Sequence, residues 1–449
     1  MPVLGPRLVI AGTHSGVGKT TVATGLLAAL RRAGHRVAGA KVGPDFIDPG
    51  YHALATGGRP RNLDAWICGA EAIGPLAARA AADADLLVIE GVMGLFDGAA
   101  DGVPASTADV ARLLDAPVLL VVDASAMAGS VAAVVHGFAT LDPAVRVAGV
   151  ILNRVASDGH ATMLREALAP VGVPVVGELH RDDRLVWRDR HLGLVPVAEE
   201  PGEVAANLER LGDAVAAGCD LDAMVRIART TAPIGADEVP LPEPGRPVRI
   251  AVAAGRAFTF LYADTIDALV AGGAEVVPFD PLVDERLPEA IDGLIVGGGF
   301  PEVHAAGLAD NAPLLADARE QIAGGLVTLA ECGGLLWLAR SLDGRAMAGV
   351  LPVDAAMTDR LTLGYRQART TVDSPLGPAG TVLRGHEFHY SNLDEPGDAL
   401  ALTSRFSTGR AGFATPTLLA SYVHHHPGGD PSILAAFLER CRRPRRPDL

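Results

Sequence analysis

Aromatic residues are scarce in this chain: Phe, Trp and Tyr together make up 4% of its 449 residues. Its cores must therefore be aliphatic. Cysteine is rarer still, with four residues (Cys68, Cys219, Cys332, Cys441) far apart and in no C-x-x-C spacing. That pattern argues against a disulfide framework and against a zinc site. Positive charge is in deficit: 38 Lys and Arg against 53 Asp and Glu give a net charge of −15. With no lysine-rich tract, the basic footprint that nucleic acid requires is missing. The one basic run, Arg440 to Arg446, reads as a solvated tail. No apolar run reaches the ~18 residues of a membrane span, and Met1 to Ala11 hold no signal-peptide core. The expectation is a cytoplasmic protein with reduced thiols and with neither nucleic acid nor membrane as partner.

What is present is the profile of a soluble globular protein, 49% hydrophobic and 20% charged. The length calls for two or three domains. In the first half, short aliphatic runs alternate with amphipathic ones. Arg7–Ala11, Arg36–Val42, Leu86–Glu90, Val118–Asp123 and Val147–Asn153 read as buried parallel strands. Thr20–Ala33, Pro75–Ala82, Ser106–Leu114 and Ala161–Ala169 read as helices between them, with Pro75 in a first turn. This is a doubly wound α/β domain. Five prolines between Thr230 and Pro247 mark a linker. Strand–helix alternation then restarts at Val248. The expected domains are 1–229, a linker at 230–247, and a second α/β domain at 248–440.

The sharpest motif is Gly12-Thr13-His14-Ser15-Gly16-Val17-Gly18-Lys19-Thr20-Thr21, after a strand and opening a helix. Its small residues let backbone N–H groups cradle phosphate oxygens. Lys19 can reach the outer phosphates, and the Thr20 hydroxyl can ligate Mg2+. Gly12, Thr13, Gly16, Val17, Gly18 and Thr21 complete the expected nucleotide site. Thr13 stands where the common pattern has its first glycine, so the loop resembles the dethiobiotin-synthetase-like variant.

Two more segments end strands. Lys41-Val42-Gly43-Pro44-Asp45-Phe46-Ile47-Asp48-Pro49-Gly50-Tyr51-His52 offers a cation for a transferring phosphoryl group and, in Asp45, a carboxylate for Mg2+. Glu90-Gly91-Val92-Met93-Gly94-Leu95-Phe96-Asp97-Gly98 places Glu90 at the end of a buried strand, where a carboxylate is costly unless it binds something, and Mg2+ is a natural use. Asp48 and Asp97 fit turn chemistry beside Pro49 and Gly98 equally well. Asn153, at a strand end, could read an adenine edge or simply terminate the strand.

In the second half, Ala330-Glu331-Cys332-Gly333-Gly334 sets a cysteine on a sharp strand-to-helix turn, where a helix N-terminus favours a thiolate. The Gly333 N–H can serve an oxyanion, with a second donor from Gly298 or Gly299. The best candidate base lies in Tyr422-Val423-His424-His425-His426.

Together these motifs, with Ala257–Tyr262 (AFTFLY), GGGFPE at Gly297 and GHEFHYS at Gly385, resemble the cobyrinate or hydrogenobyrinate a,c-diamide synthase family. The resemblance runs in family order from Gly12 to His424. It implies a P-loop ATPase domain with a doubly wound parallel sheet, followed by a class I glutamine-amidotransferase-like (flavodoxin-like) α/β domain. It implies ATP and Mg2+, with glutamine and a corrinoid or related tetrapyrrole acid as substrates, and ring a- and c-acetate groups as the sites of amidation. Cys332 would be the nucleophile and His424 its base. Lys41 and Asp45 would be catalytic in the first domain, and Asp48 and Asp97 would lie on the acceptor side. A homodimer is entertained as the assembly. The pattern departs at His426, which stands where the usual triad has Glu, and at Arg256, where many relatives carry Asp. A cysteine–histidine dyad is therefore expected. Cobyric acid synthase and nickel-sirohydrochlorin diamide synthase share the architecture and stay open. A MinD-type switch ATPase is the alternative of another class, but it would carry an early second lysine and no cysteine elbow.

Overall fold

The computed structural model describes residues 2–99, 102–185, 189–190, 193–194, 196–197, 199 and 201–445. Arg446, the last of the basic run, falls outside them. The chain forms two compact units that meet in sequence at Val239 and Pro240. That junction lies inside the proline-rich stretch. The first part of the stretch belongs to the first unit, because Ile234–Gly235 pairs with Val3–Leu4.

The first unit is built on a seven-stranded sheet. Its strands are β1 (Arg7–Gly12), β2 (Val37–Val42), β3 (Asn62–Leu63), β4 (Leu86–Glu90), β5 (Val118–Asp123), β6 (Val147–Val155) and β7 (Val175–His180). Their order is β3-β2-β4-β1-β5-β6-β7, and every pairing is parallel. All six residues of β1 are buried, as a central strand covered on both faces requires. Helix α1 (Lys19–Arg32) buries Val22, Leu26, Leu27 and Leu30 against this sheet. The strand order changes direction beside β1, so the ends of β1, β2 and β4 open on one crevice.

Two local features differ from expectation. Pro75 lies inside the helix Ala70–Ala80 instead of in its first turn. Its missing N–H would have reached the carbonyl of Glu71, so only one bond close to the N-terminus is lost. The segment after β2 is not a loop throughout: Asp48–Thr56 forms helix α2, with Pro49 in its first turn and Gly57 closing it in the left-handed region.

The second unit has a six-stranded sheet of β8 (Val248–Ala253), β9 (Ala274–Phe279), β10 (Gly293–Val296), β11 (Val327–Glu331), β12 (Phe413–Ala414) and β13 (Leu418–Ser421). The order is β9-β8-β10-β11-β13-β12, parallel except for the edge strand β12. A long antiparallel ribbon, Asp354–Thr370 with Val382–Leu393, pairs through His386 with His424. The core of this unit is largely aliphatic, with Trp337, Phe300 and Phe437 as large fully buried exceptions.

Candidate active site

The first unit brings the phosphate loop and two strand ends together. Gly16 and Gly18 have φ of 80° and 94°, the left-handed region that glycine adopts without strain. A Cβ on Gly12 would come within 2.5 Å of Val17. Lys19 folds over the loop, donating to the His14 carbonyl at 3.2 Å. Burial and the nearby Lys41 lower its ammonium to about 8. Asn153 braces the loop from beneath: its Nδ2 donates to the Val17 carbonyl at 2.8 Å, and its Oδ1 accepts from the Arg154 N–H. Beside them opens a cavity of about 520 Å³, lined by Gly18, Lys19, Thr20, Asn153, Arg154 and Arg181 among others.

Behind the loop lies a buried charged cluster. Lys41 Nζ is 2.5 Å from Asp48 Oδ2 and 2.8 Å from Glu90 Oε1. The Thr20 hydroxyl donates to Glu90 Oε1 at 2.7 Å and lies 3.3 Å from Asp48 Oδ2. Burial opposes the Lys41 charge, but Asp48, Glu90 and Asp45 outweigh it and hold the ammonium well above its ordinary value. Glu90 is likewise buried, yet Lys41 and His52 hold its carboxyl below the usual range. Asp48 is pushed up by burial and by the neighbouring charge of Asp45.

The two aspartates of the segment after β2 stand in different surroundings. Asp45 Oδ1 accepts from the N–H groups of Ile47 and Asp48, at 2.7 and 2.9 Å, so it starts helix α2. Asp48, read from sequence as acceptor-side, is the carboxylate that meets Thr20 and Lys41. Asp97 Oδ2 accepts from the Gly94 N–H at 2.8 Å and closes its own turn.

The second unit presents Cys332 with φ 49° and ψ −100°, a strained conformation at a strand-to-helix elbow. His424 lies within its electrostatic reach. Burial alone would lower the His424 imidazole, but Cys332 and Glu331 raise it to about 9. Gly298 must be glycine, because a Cβ there would come within 2.5 Å of His424 Cε1. Its N–H is bonded to the Phe260 carbonyl at 3.0 Å and so is not free for the oxyanion donation expected of it, which was also expected of Gly299 and Gly333. Those two lie together: a Cβ on Gly333 would sit 3.1 Å from the Gly299 nitrogen.

A model of the CobQ/CobB/MinD/ParA nucleotide binding domain matches residues 8–194. A model of the CobB/CobQ-like glutamine amidotransferase domain matches residues 249–431. The chain is 51% identical to the hydrogenobyrinate a,c-diamide synthase of Streptomyces coelicolor, over 97% of this chain and 98% of that protein. It is 48% identical to the enzyme of that name from Thermobifida fusca, over 96% of both chains. It is 44% identical to the cobyrinate a,c-diamide synthase of Syntrophotalea carbinolica, over 97% of this chain and 99% of that protein. The chain belongs to the a,c-diamide synthase family.

Two residues of this a,c-diamide synthase family member escaped the sequence reading. His52 Nε2 lies 2.7 Å from Glu90 Oε2. Its signal in the sequence is its place four residues after Asp48, which puts both on one face of helix α2. Glu331 contacts both His424 and His425. Its signal was a carboxylate at the end of a buried strand, the argument that had been applied to Glu90. Among the described residues no helix is long and apolar enough to cross a membrane.

Proposed function

We propose that this protein amidates the a and c carboxylates of hydrogenobyrinic acid, using glutamine as nitrogen source and ATP as activator. The observation that carries the reading is the pairing of Cys332 with His424 in a chain whose other unit folds a phosphate loop onto Lys41 and Glu90. Similarity over nearly the whole chain to enzymes named for this acid, at 46–51% identity, supports the acceptor. Relatives named for cobyrinate stand at 40–44%, which makes the cobalt-bearing acid the second reading.

In the second unit, Cys332 Sγ adds to the glutamine side-chain carbonyl while His424 takes its proton. The carbon–nitrogen bond breaks, His424 returns the proton to the departing ammonia, and water then cleaves the thioester to glutamate. The N–H groups of Gly299 and Gly333 receive the oxyanion.

In the first unit, the substrate carboxylate oxygen attacks the terminal phosphorus of ATP, and ADP leaves. Ammonia then displaces phosphate from the acyl phosphate, forming the amide. Carboxylate oxygen is a poor leaving group and phosphate a good one, so activation is what the nucleotide contributes. Lys19 and Lys41 offset charge on the transferring group. The hard oxygens of Thr20, Asp48 and Glu90 suit Mg2+, which usually keeps several waters and substrate phosphates. These residues would hold it, and it would neutralise phosphate charge. The loop backbone from Gly12 to Thr21 orients the phosphates.

The test is Cys332→Ala. It should abolish amidation from glutamine and retain amidation from ammonium salts, with amides counted by mass on each macrocycle. Loss of both activities in a folded variant would overturn the division of labour.

A further inference from the structure

A cysteine–histidine pair works best when a third group steadies the imidazole. The position two residues after His424, where that carboxylate ordinarily stands, holds His426. His426 is engaged elsewhere: its Nε2 lies 3.7 Å from Asp264 Oδ2, and its ring packs against Tyr262 with centroids 4.4 Å apart. A carboxylate nonetheless reaches His424 from another part of the chain. It belongs to Glu331, the last residue of β11 and the neighbour of Cys332. Glu331 Oε2 lies 3.8 Å from His424 Nδ1, within ion-pair range. Oε1 is fixed on the other side by the His425 ring and by the His425 backbone N–H, the latter at 3.3 Å. The residue is 5% exposed.

The other charged and titratable groups around His424 do not take this place. His386 stacks on it with ring centroids 5.4 Å apart. His389 feels its charge but stacks on Tyr422 and donates from Nδ1 to the Ser391 carbonyl. Glu387 also feels that charge, but its Oε2 is taken by Arg366 at 2.7 Å.

We infer that Glu331 is a positioning residue for glutamine hydrolysis, supplying from the nucleophile elbow the carboxylate that other triads place after the histidine. The inference rests on the assignment of Cys332 and His424 as the glutaminase pair. Glu331 takes no proton itself. It stabilises the imidazolium that forms when the Cys332 proton moves to His424, and it holds the ring until that proton passes to ammonia. His425 acts one step further out, fixing the carboxylate. Burial pushes the Glu331 carboxyl up, but His425 and His424 hold it at about 2, so it stays charged over the working range. The Cys–His pair is then a triad whose acid precedes the nucleophile in sequence.

The experiment uses the full chain with Glu331→Gln, Glu331→Asp and Cys332→Ala. Glu331→Gln should lower the kcat of glutaminase on the order of 10²-fold with the KM for glutamine little changed. Alkylation of Cys332 by iodoacetamide should slow at neutral pH in the same variant, and its pH profile should move upward. Glu331→Asp should recover part of both losses. Amidation from ammonium should be unaffected throughout. Wild-type kcat and an unmoved alkylation profile in Glu331→Gln would overturn the inference. Should that variant fail to fold by circular dichroism, Glu331→Asp decides: reduced kcat at constant KM supports the role, and unchanged kcat overturns it. Cys332→Ala separates the two levels. If it keeps glutaminase activity, the underlying assignment falls; if it loses activity while Glu331→Gln does not, only the role of Glu331 falls.

Discussion

Lys41 Nζ lies 2.8 Å from Glu90 Oε1, and both side chains are buried at the ends of adjacent parallel strands. The same ammonium meets Asp48 from helix α2. One cation thus holds two carboxylates around the hydroxyl of Thr20, directly beneath the phosphate loop.

Removing that cation should cost both stability and activity. Lys41→Met leaves two carboxylates without their partner, and loss of one member of a buried pair typically costs about 3–5 kcal/mol. Partial protonation of Asp48, already pushed up, offsets some of this. Thermal unfolding should show a clear fall in Tm. Ammonia-driven amidation should drop on the order of 10²-fold or more.

The two aspartates of the GPDFIDPGYH segment should separate. Asp45→Ala removes a helix-starting acceptor and should cost about 1 kcal/mol in stability. Its amidation rate should fall less than that of Asp48→Asn, which alters the charge around Thr20 and should lose on the order of 10²-fold. Equal rates in the two variants, measured with ammonium as donor, would contradict the geometry.

Nucleotide affinity should weaken as pH rises through about 8. Free Lys19 is lowered to about 8, and bound phosphate favours its charged form, so the complex holds more protons than the free protein above that pH. Affinity is therefore full below about 8 and is lost above it. Titration with a fluorescent ATP analogue should show Kd rising about tenfold between pH 7 and 9. A Lys19→Arg variant should flatten the dependence.

Gly298→Ala should strike glutamine hydrolysis alone. The added methyl would meet His424 Cε1 at 2.5 Å and Phe260 Cβ at 3.2 Å. His424 must move, and glutaminase kcat should fall on the order of 10²-fold. Ammonia-driven amidation, measured in parallel, should hold.

The sequence by itself determined the two α/β units, the phosphate loop and the cysteine elbow. Each is local: a glycine spacing, an aliphatic run or a turn is written in consecutive residues, because the backbone conformations they need depend on those residues alone. Only the tertiary structure decided which carboxylate serves which partner. Asp45 and Asp48 are three residues apart, yet helix α2 turns one toward its own backbone and the other toward Lys41. Asn153 reaches the Val17 carbonyl, 136 residues away in the chain, because β6 ends beside the loop. Glu331 and His425 meet across 94 residues, where β11 and β13 run parallel and end together. A parallel sheet gathers its strand ends along one edge, and the residues it gathers there cannot be paired by reading along the chain.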